Sequence, residues 1–309
     1  RLDVAAAAYE MAIQPAEQQH NLRQVATGKF QLGTVRRHQG NYAAALTACT
    51  EARDTFAHLG EPTSVAVAWH QVGVVHTEAG QYTAAEHAYQ ESLRMMTQMG
   101  NTAGQADTLT GLGALYAAMY RLEDAVRFSL QAAKLYDTLG DQIGEGRARN
   151  NAASLLNALG RHDDARRELQ RAIACLEPFG HAATPWTTFN NLHDLERAVG
   201  NPTAAATARQ RALDSYLAYR RADGVSQSSL AELYILVAQA LATHQHAEAT
   251  SALTALAQEP DLPPYVPPVL TALQAMLAGA RDPALADDPN LGYDDAAELR
   301  LLLEQCSTA

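Results

Sequence analysis

Glycine keeps a metre in this sequence. Gly40, Gly60, Gly80, Gly100, Gly140, Gly160, Gly180 and Gly200 all fall on multiples of twenty. A glycine just past a helix end supplies the left-handed backbone that other residues adopt only at a cost. The metre is therefore helix, stop, helix, stop, and two such helices make a 40-residue unit. Written in rows of forty, residues 21–60, 61–100, 101–140, 141–180 and 181–220 align without a gap. Ala45, Ala85, Ala125, Ala165 and Ala205 share one column, and Ala52, Ser92, Ala132, Ala172 and Ala212 another, seven residues on. Small residues at that spacing lie on one helix face and let a neighbouring helix approach closely. A further column, Leu32, Val72, Leu112, Ala152 and Leu192, sits in the first helix of each unit. Beside it runs a mostly small one, Gly33, Gly73, Gly113, Ala153 and His193.

Composition agrees with helices. Aromatic residues are only 6% of the chain while alanine abounds, which disfavours strands built from aromatic and β-branched side chains. The predicted class is all-α. No stretch approaches the roughly 20 apolar residues that cross a bilayer, and the N-terminus lacks a basic-then-apolar leader. No membrane contact and a cytoplasmic location are expected. The net charge of -11 argues against nucleic acid, since affinity for phosphates comes largely from Lys and Arg. Cys49, Cys175 and Cys306 are too scattered for a disulfide framework or a metal knuckle.

The columns resemble the tetratricopeptide repeat (TPR) family, whose first helix carries an aromatic-x-x-Leu-Gly-x-x-Tyr pattern and whose second carries small residues at fixed places. In "WHQVGVVHTEAGQYTAAEHAYQES", Trp69, Val72, Gly73, Tyr82, Ala85, Tyr89 and Ser92 stand on the signature positions, and unit three supplies Leu112, Gly113, Tyr116, Ala125 and Ala132. The 40-residue period is similar to that of kinesin light chains and of LGN-type cell-polarity adaptors. The resemblance implies a right-handed α-α superhelix, here with a helical C-terminal cap. The pattern departs at Tyr120, where other units place a turn glycine, and at His193 and Pro202 in unit five.

Both ends carry information. Residues 1–20 fit the second helix of a truncated repeat, with Leu2, Ala5, Tyr9 and Ala12 in the columns of Tyr42, Ala45, Cys49 and Ala52. A solenoid needs a polar terminal cap, so a start inside a repeat, without Met, predicts a piece of a longer protein. Residues 21–220 form the five units. Residues 221–259 read as a degenerate sixth pair, with His246, Ala249 and Leu253 in the columns of Tyr42, Ala45 and Cys49. Residues 260–309 read as a cap: "PDLPPYVPP" breaks the helical run, a helix over 269–277 closes the stack, and an acidic loop precedes a short amphipathic helix.

"RARNNAASLLNALG", from Arg147, places three asparagines in one helix, although Asn competes there for backbone hydrogen bonds. In the TPR family the first helices line a concave groove, and the resemblance puts Arg147, Asn150, Asn151, Ser154 and Asn157 on its face. In unit five it puts Thr187, Asn190, Asn191, Asp194 and Arg197 there, and further back His70, Asp107 and Thr110. An amide both donates and accepts, so a row of Asn suits capture of an extended peptide backbone. Arg37, Arg147 and Arg197 balance Glu78, Asp107 and Asp194, so the groove is formally neutral. That argues against the carboxylate-clamp kind of TPR, which grips a terminal carboxylate with a basic cluster. Arg147 and Arg197 suit an acidic side chain, and the small residues of unit three leave room for a bulky apolar one.

Enzyme signals are absent from the sequence: it has no phosphate-cradling loop, nucleophile elbow or zinc-helix pattern. "HQH" at 244–246 sits in a polar turn, and "HDD" at 162–164 suits a helix N-terminus. The expected function is a non-enzymatic, cofactor-free scaffold that binds a protein or peptide in its groove, centred on units four and five. The alternative is the regulatory or sensor arm of a larger bacterial signalling protein with an NTPase, protease or DNA-binding domain upstream. Nothing in the sequence fixes the oligomeric state.

Overall fold

A computed structural model describes residues 2–308, which fall into two compact units, one ending at Cys175 and the other beginning at Leu176. The first unit opens with α1 (Leu2–Gln18). Four hairpins follow: α2 (Leu22–His38) with α3 (Tyr42–His58), α4 (Pro62–Glu78) with α5 (Tyr82–Gln98), α6 (Thr102–Ala118) with α7 (Leu122–Leu139), and α8 (Gln142–Ala158) with α9 (His162–Leu176).

The even length of these helices follows from turn chemistry. The side chains of Asn41, Asn101 and Asp141 accept the backbone N–H three residues on, at 3.2, 2.9 and 2.9 Å, and so start α3, α6 and α8. At the helix ends the chain turns left-handed. Gly100, with φ +66°, lets its own N–H reach Thr97 O at 3.0 Å and the N–H of Asn101 reach Met96 O at 2.9 Å. Tyr120 makes the same pair of bonds with φ +57°, so the third unit's turn forms in spite of the missing glycine. Its ring is 89% exposed and offers little packing to offset the strain. Tyr120→Gly is therefore expected to stabilise the first unit by about 0.5–1 kcal/mol, read from the urea midpoint by circular dichroism. A loss of stability would show that the exposed ring makes a contribution after all.

The small columns do what their spacing requires. Ala45, Ala85, Ala125 and Ala165 are fully buried, as are Ala52, Ser92, Ala132 and Ala172. Ser92 donates its hydroxyl to Ala66 O at 2.8 Å, so the one polar member of its column is satisfied. A methyl on Gly73 would lie 2.9 Å from the Tyr89 ring; the backbone of α4 rests directly on that ring. Burial pushes the Cys49 thiol up to about 11, consistent with a small hydrophobe. In α1 the buried residues are Ala6, Ile13 and Ala16; the first two lie one residue on from the expected Ala5 and Ala12, and Tyr9 is half-buried. α1 packs on α2 and turns its face to suit that neighbour.

The second unit breaks the metre at its first turn and resumes it at Gly200, with φ +74°. Pro178, which lacks an N–H, follows α9, and residues Glu177–Ala183 form a 3₁₀ stretch with Gly180 inside it instead of an α-helical turn. Then come α10 (Pro185–Ala198), α11 (Pro202–Arg221), α12 (Ala231–Thr243), α13 (His246–Ala257), α14 (Val266–Leu277) and α15 (Tyr293–Thr308). Ala249 and Leu253 are fully buried. α14 starts three residues before the expected position because Pro267 and Pro268 occupy its first turn, where a missing N–H costs nothing. The expected short tail helix is a 16-residue element whose Ala296, Ala297 and Leu299 are fully buried.

Two carboxylates of α15 go inside with it. Asp295 accepts the Ser228 hydroxyl at 2.7 Å and the Tyr234 hydroxyl at 2.9 Å, and burial holds its carboxyl above the usual range. Glu298 is gripped by Arg220 from α11, Nε to Oε1 at 2.7 Å and Nη2 to Oε2 at 3.0 Å, with the Tyr216 hydroxyl at 3.2 Å. Beside them Trp186 is fully buried, its ring 4.9 Å from that of Tyr219 and 5.5 Å from that of Tyr216.

Candidate functional site

A cavity of about 670 Å³ opens in the first unit between α4 and α6, with walls from α5 and α7. From α4 come Val67, His70, Val74, Thr77 and Glu78, and from α6 come Ala103, Gly104, Asp107, Thr110, Gly111 and Ala114. Tyr89 and Met96 of α5 and Tyr136 of α7 complete it. His70, Asp107 and Thr110 of the sequence-derived set thus share one hollow.

Two glycines of α6 let the wall side chains of α5 lie against its backbone. A methyl on Gly104 would meet Met96 Sδ at 2.4 Å, and one on Gly111 would meet Tyr89 at 2.6 Å. A glycine inside a helix costs about 1 kcal/mol against alanine, so these two hold their places by letting large side chains of the preceding helix lie against the α6 backbone. They stand off the metre of twenty, and that offset is the sequence signal that Met96 and Tyr89, the latter known so far only as a repeat signature residue, wall a cavity. A smaller apolar hollow of about 210 Å³, lined by Thr27, Phe30, Phe56, Thr63, Ser64 and Val67, shares Val67 with the first.

Polar groups are few and specific. The Tyr136 hydroxyl donates to Asp107 Oδ1 at 2.6 Å, and burial, the bond to Asp107 and that carboxylate's charge push the phenol far up. His70 stands edge-on to Tyr89, ring centres 5.4 Å apart. Burial holds its imidazole below the ordinary value, with Asp107 opposing the shift. Its Nδ1 is buried with no hydrogen-bond partner. Burial lifts the Tyr89 phenol to about 12. Glu78 is paired with Arg37 of α2.

The remaining sequence-derived residues lie elsewhere. Arg147, Asn151 and Ser154 are exposed on α8 and Asn150 is half-buried there; none of them lines the cavity. Asn157 meets His162 Nδ1 at 2.9 Å, closing the turn of its own hairpin. Thr187, Asn190, Asn191, Asp194 and Arg197 belong to α10 of the second unit. There Asn190 donates to Asp194 Oδ2 at 3.2 Å, and Thr187 donates to Thr184 O at 3.1 Å. In "HDD", Asp164 holds Arg161 at 2.7 Å in the first turn of α9. In "HQH", His244 is exposed and His246 is half-buried. Among the described residues no helix is long and apolar enough to cross a membrane.

The family model of the tetratricopeptide repeat matches residues 24–98, the span of α2 to α5. No curated protein matches the chain. Among solved structures it is similar to BtubC (BKLC) from P. vanneervenii, at 17% identity over 71% of this chain and 92% of that one, TM-score 0.64. A second is the Signal Transduction ATPase with Numerous Domains (STAND) protein with a tetratricopeptide repeat sensor from Pyrococcus horikoshii, at 13% identity over 100% of this chain and 48% of that one, TM-score 0.58. A third is a Rap protein complexed with competence and sporulation factor, at 14% identity over 99% and 86%, TM-score 0.51. Identities this low carry the fold alone. The chain is an all-α protein of tetratricopeptide repeat fold, and its residues 24–98 match that family in sequence.

Proposed function

We propose that the chain is a partner-binding scaffold whose first unit seats a peptide or protein segment in the hollow between α4 and α6. The carrying observation is that residues on the groove positions of two successive repeats, His70, Val74, Asp107, Thr110, Gly111 and Ala114, converge on one cavity. Its few polar groups set in apolar walls suit binding. The centre of this reading is units two and three; the exposed stripe of α8 extends it. The fold shared with a Rap protein complexed with competence and sporulation factor supports a binding role, and the three free cysteines fit a reducing cytoplasm.

Ala114 is exposed at the cavity mouth, so Ala114→Phe fills the space without entering the core. Peptides selected on the full chain from a random displayed library are expected to lose at least about tenfold in affinity for this variant, measured by fluorescence anisotropy. Ser154→Phe on α8 should leave them unchanged. Peptides indifferent to Ala114→Phe, or a selection that enriches none, would remove the cavity from consideration. Loss on Ser154→Phe alone would move the site to α8.

A second reading makes the same groove the sensing arm of a larger signalling protein. It is favoured by the likeness to the STAND protein with its tetratricopeptide repeat sensor, of which this chain spans about half the length. A ligand-dependent change in the activity of an attached domain would distinguish the arm from a plain scaffold.

A further inference from the structure

We propose that the cavity selects a segment in which a bulky apolar side chain stands next to a lysine or arginine. The proposal rests on the reading that the partner sits in this cavity, and it adds the chemistry of that partner. The apolar half follows from the walls: Val67, Val74, Met96, Ala114 and the Tyr89 ring, which rests on the bare backbone of Gly111, line the space. A large side chain placed there leaves water and makes dispersion contacts on several sides.

The basic half follows from charge. Glu78 and Asp107 are the charged residues lining the cavity, and both are carboxylates; no lysine or arginine lines it. Arg37 neutralises Glu78 from α2. Among the described residues Asp107 has no such cation: it is exposed at the rim, and its hydrogen bond from the Tyr136 hydroxyl at 2.6 Å fixes one oxygen and holds the carboxylate in place. A cation presented beside the apolar anchor meets this carboxylate in a charge-assisted bond. The neighbouring His70 adds no opposing charge near neutral pH, because burial disfavours its imidazolium. The sign is opposite to that expected from Arg147 and Arg197, which lie outside the cavity, the latter in the second unit. The net charge of -11 draws a basic segment in from a distance as well.

Three fluorescein-labelled nonapeptides test this, identical except for a central Lys-Phe-Lys, Gln-Phe-Gln or Glu-Phe-Glu. Each is titrated at low salt with the full chain, with Asp107→Asn, which can still accept the tyrosine hydroxyl, and with Ala114→Phe. The lysine peptide is expected to bind about tenfold tighter than the glutamine one, and the glutamate peptide most weakly. Asp107→Asn should remove most of the lysine advantage while leaving the glutamine peptide unaffected. Ala114→Phe should abolish binding of all three. Equal affinity for all three peptides, lost on Ala114→Phe, would overturn the charge selection and leave cavity binding standing. Binding that survives Ala114→Phe would overturn both. No binding of the lysine peptide at millimolar concentration would overturn the selection alone, since the library experiment decides cavity binding separately.

Discussion

Trp186→Ala is expected to destabilise the second unit by about 4 kcal/mol. The ring is fully buried and packs against Tyr216 and Tyr219 at 5.5 and 4.9 Å between centres. Those tyrosines come from the same helix, so removing the indole opens a hole that neither can fill by itself. Trp186→Phe should cost only about 1 kcal/mol, because the indole N–H is buried without a hydrogen-bond partner and its loss removes an unmet polar group along with some volume. Urea unfolding followed by circular dichroism reads both values. The chain has two tryptophans, and Trp69 lies in the first unit beneath the Arg53 guanidinium. Fluorescence of Trp186→Phe therefore follows the first unit alone, and that of Trp69→Phe follows the second. A cost within 1 kcal/mol for the alanine variant would contradict the packing described for α10 and α11.

Glu298→Ala should cost about 3–4 kcal/mol in the same measurement. The carboxylate is buried and holds the Nε–Nη2 edge of the Arg220 guanidinium, at 2.7 and 3.0 Å. Truncating it strands a largely buried cation, which is the expensive way to break such a pair. The Tyr216 hydroxyl also donates to Glu298 but keeps a second partner, accepting the Gln227 N–H at 2.7 Å. The double variant Arg220→Met/Glu298→Leu should recover most of the loss, since it removes the charge with its partner. Failure of the double variant to recover would mean that the pair carries more than its own desolvation.

These two sites mark the limit of what the chain's letters disclose. The hairpins were legible because their determinants are local: a left-handed residue every twenty positions, and small side chains seven apart. The cap was not. Asp295 reaches Ser228 and Tyr234 across more than sixty residues, and Glu298 reaches Arg220 across 78. In the sequence these carboxylates read as an acidic tail because nothing adjacent announces their partners. The cavity lies between the two cases. His70, Asp107 and Thr110 follow from repeat position, but its depth comes from Tyr89 and Met96 on the second helix, through glycines that break the metre. Asn157 shows the opposite error: an amide read as reaching outward meets His162 five residues on.

From α2 to α8 every turn sets a left-handed residue at the same step, a glycine at each but Tyr120. Losing one residue inside such a helix would rotate everything after it by about 100°, and the buried alanine columns would turn to solvent. Losing or gaining forty would rotate nothing. The first unit can therefore change size in whole repeats and hardly at all in between, so its reach along a partner is quantised while the chemistry at each step is free to vary.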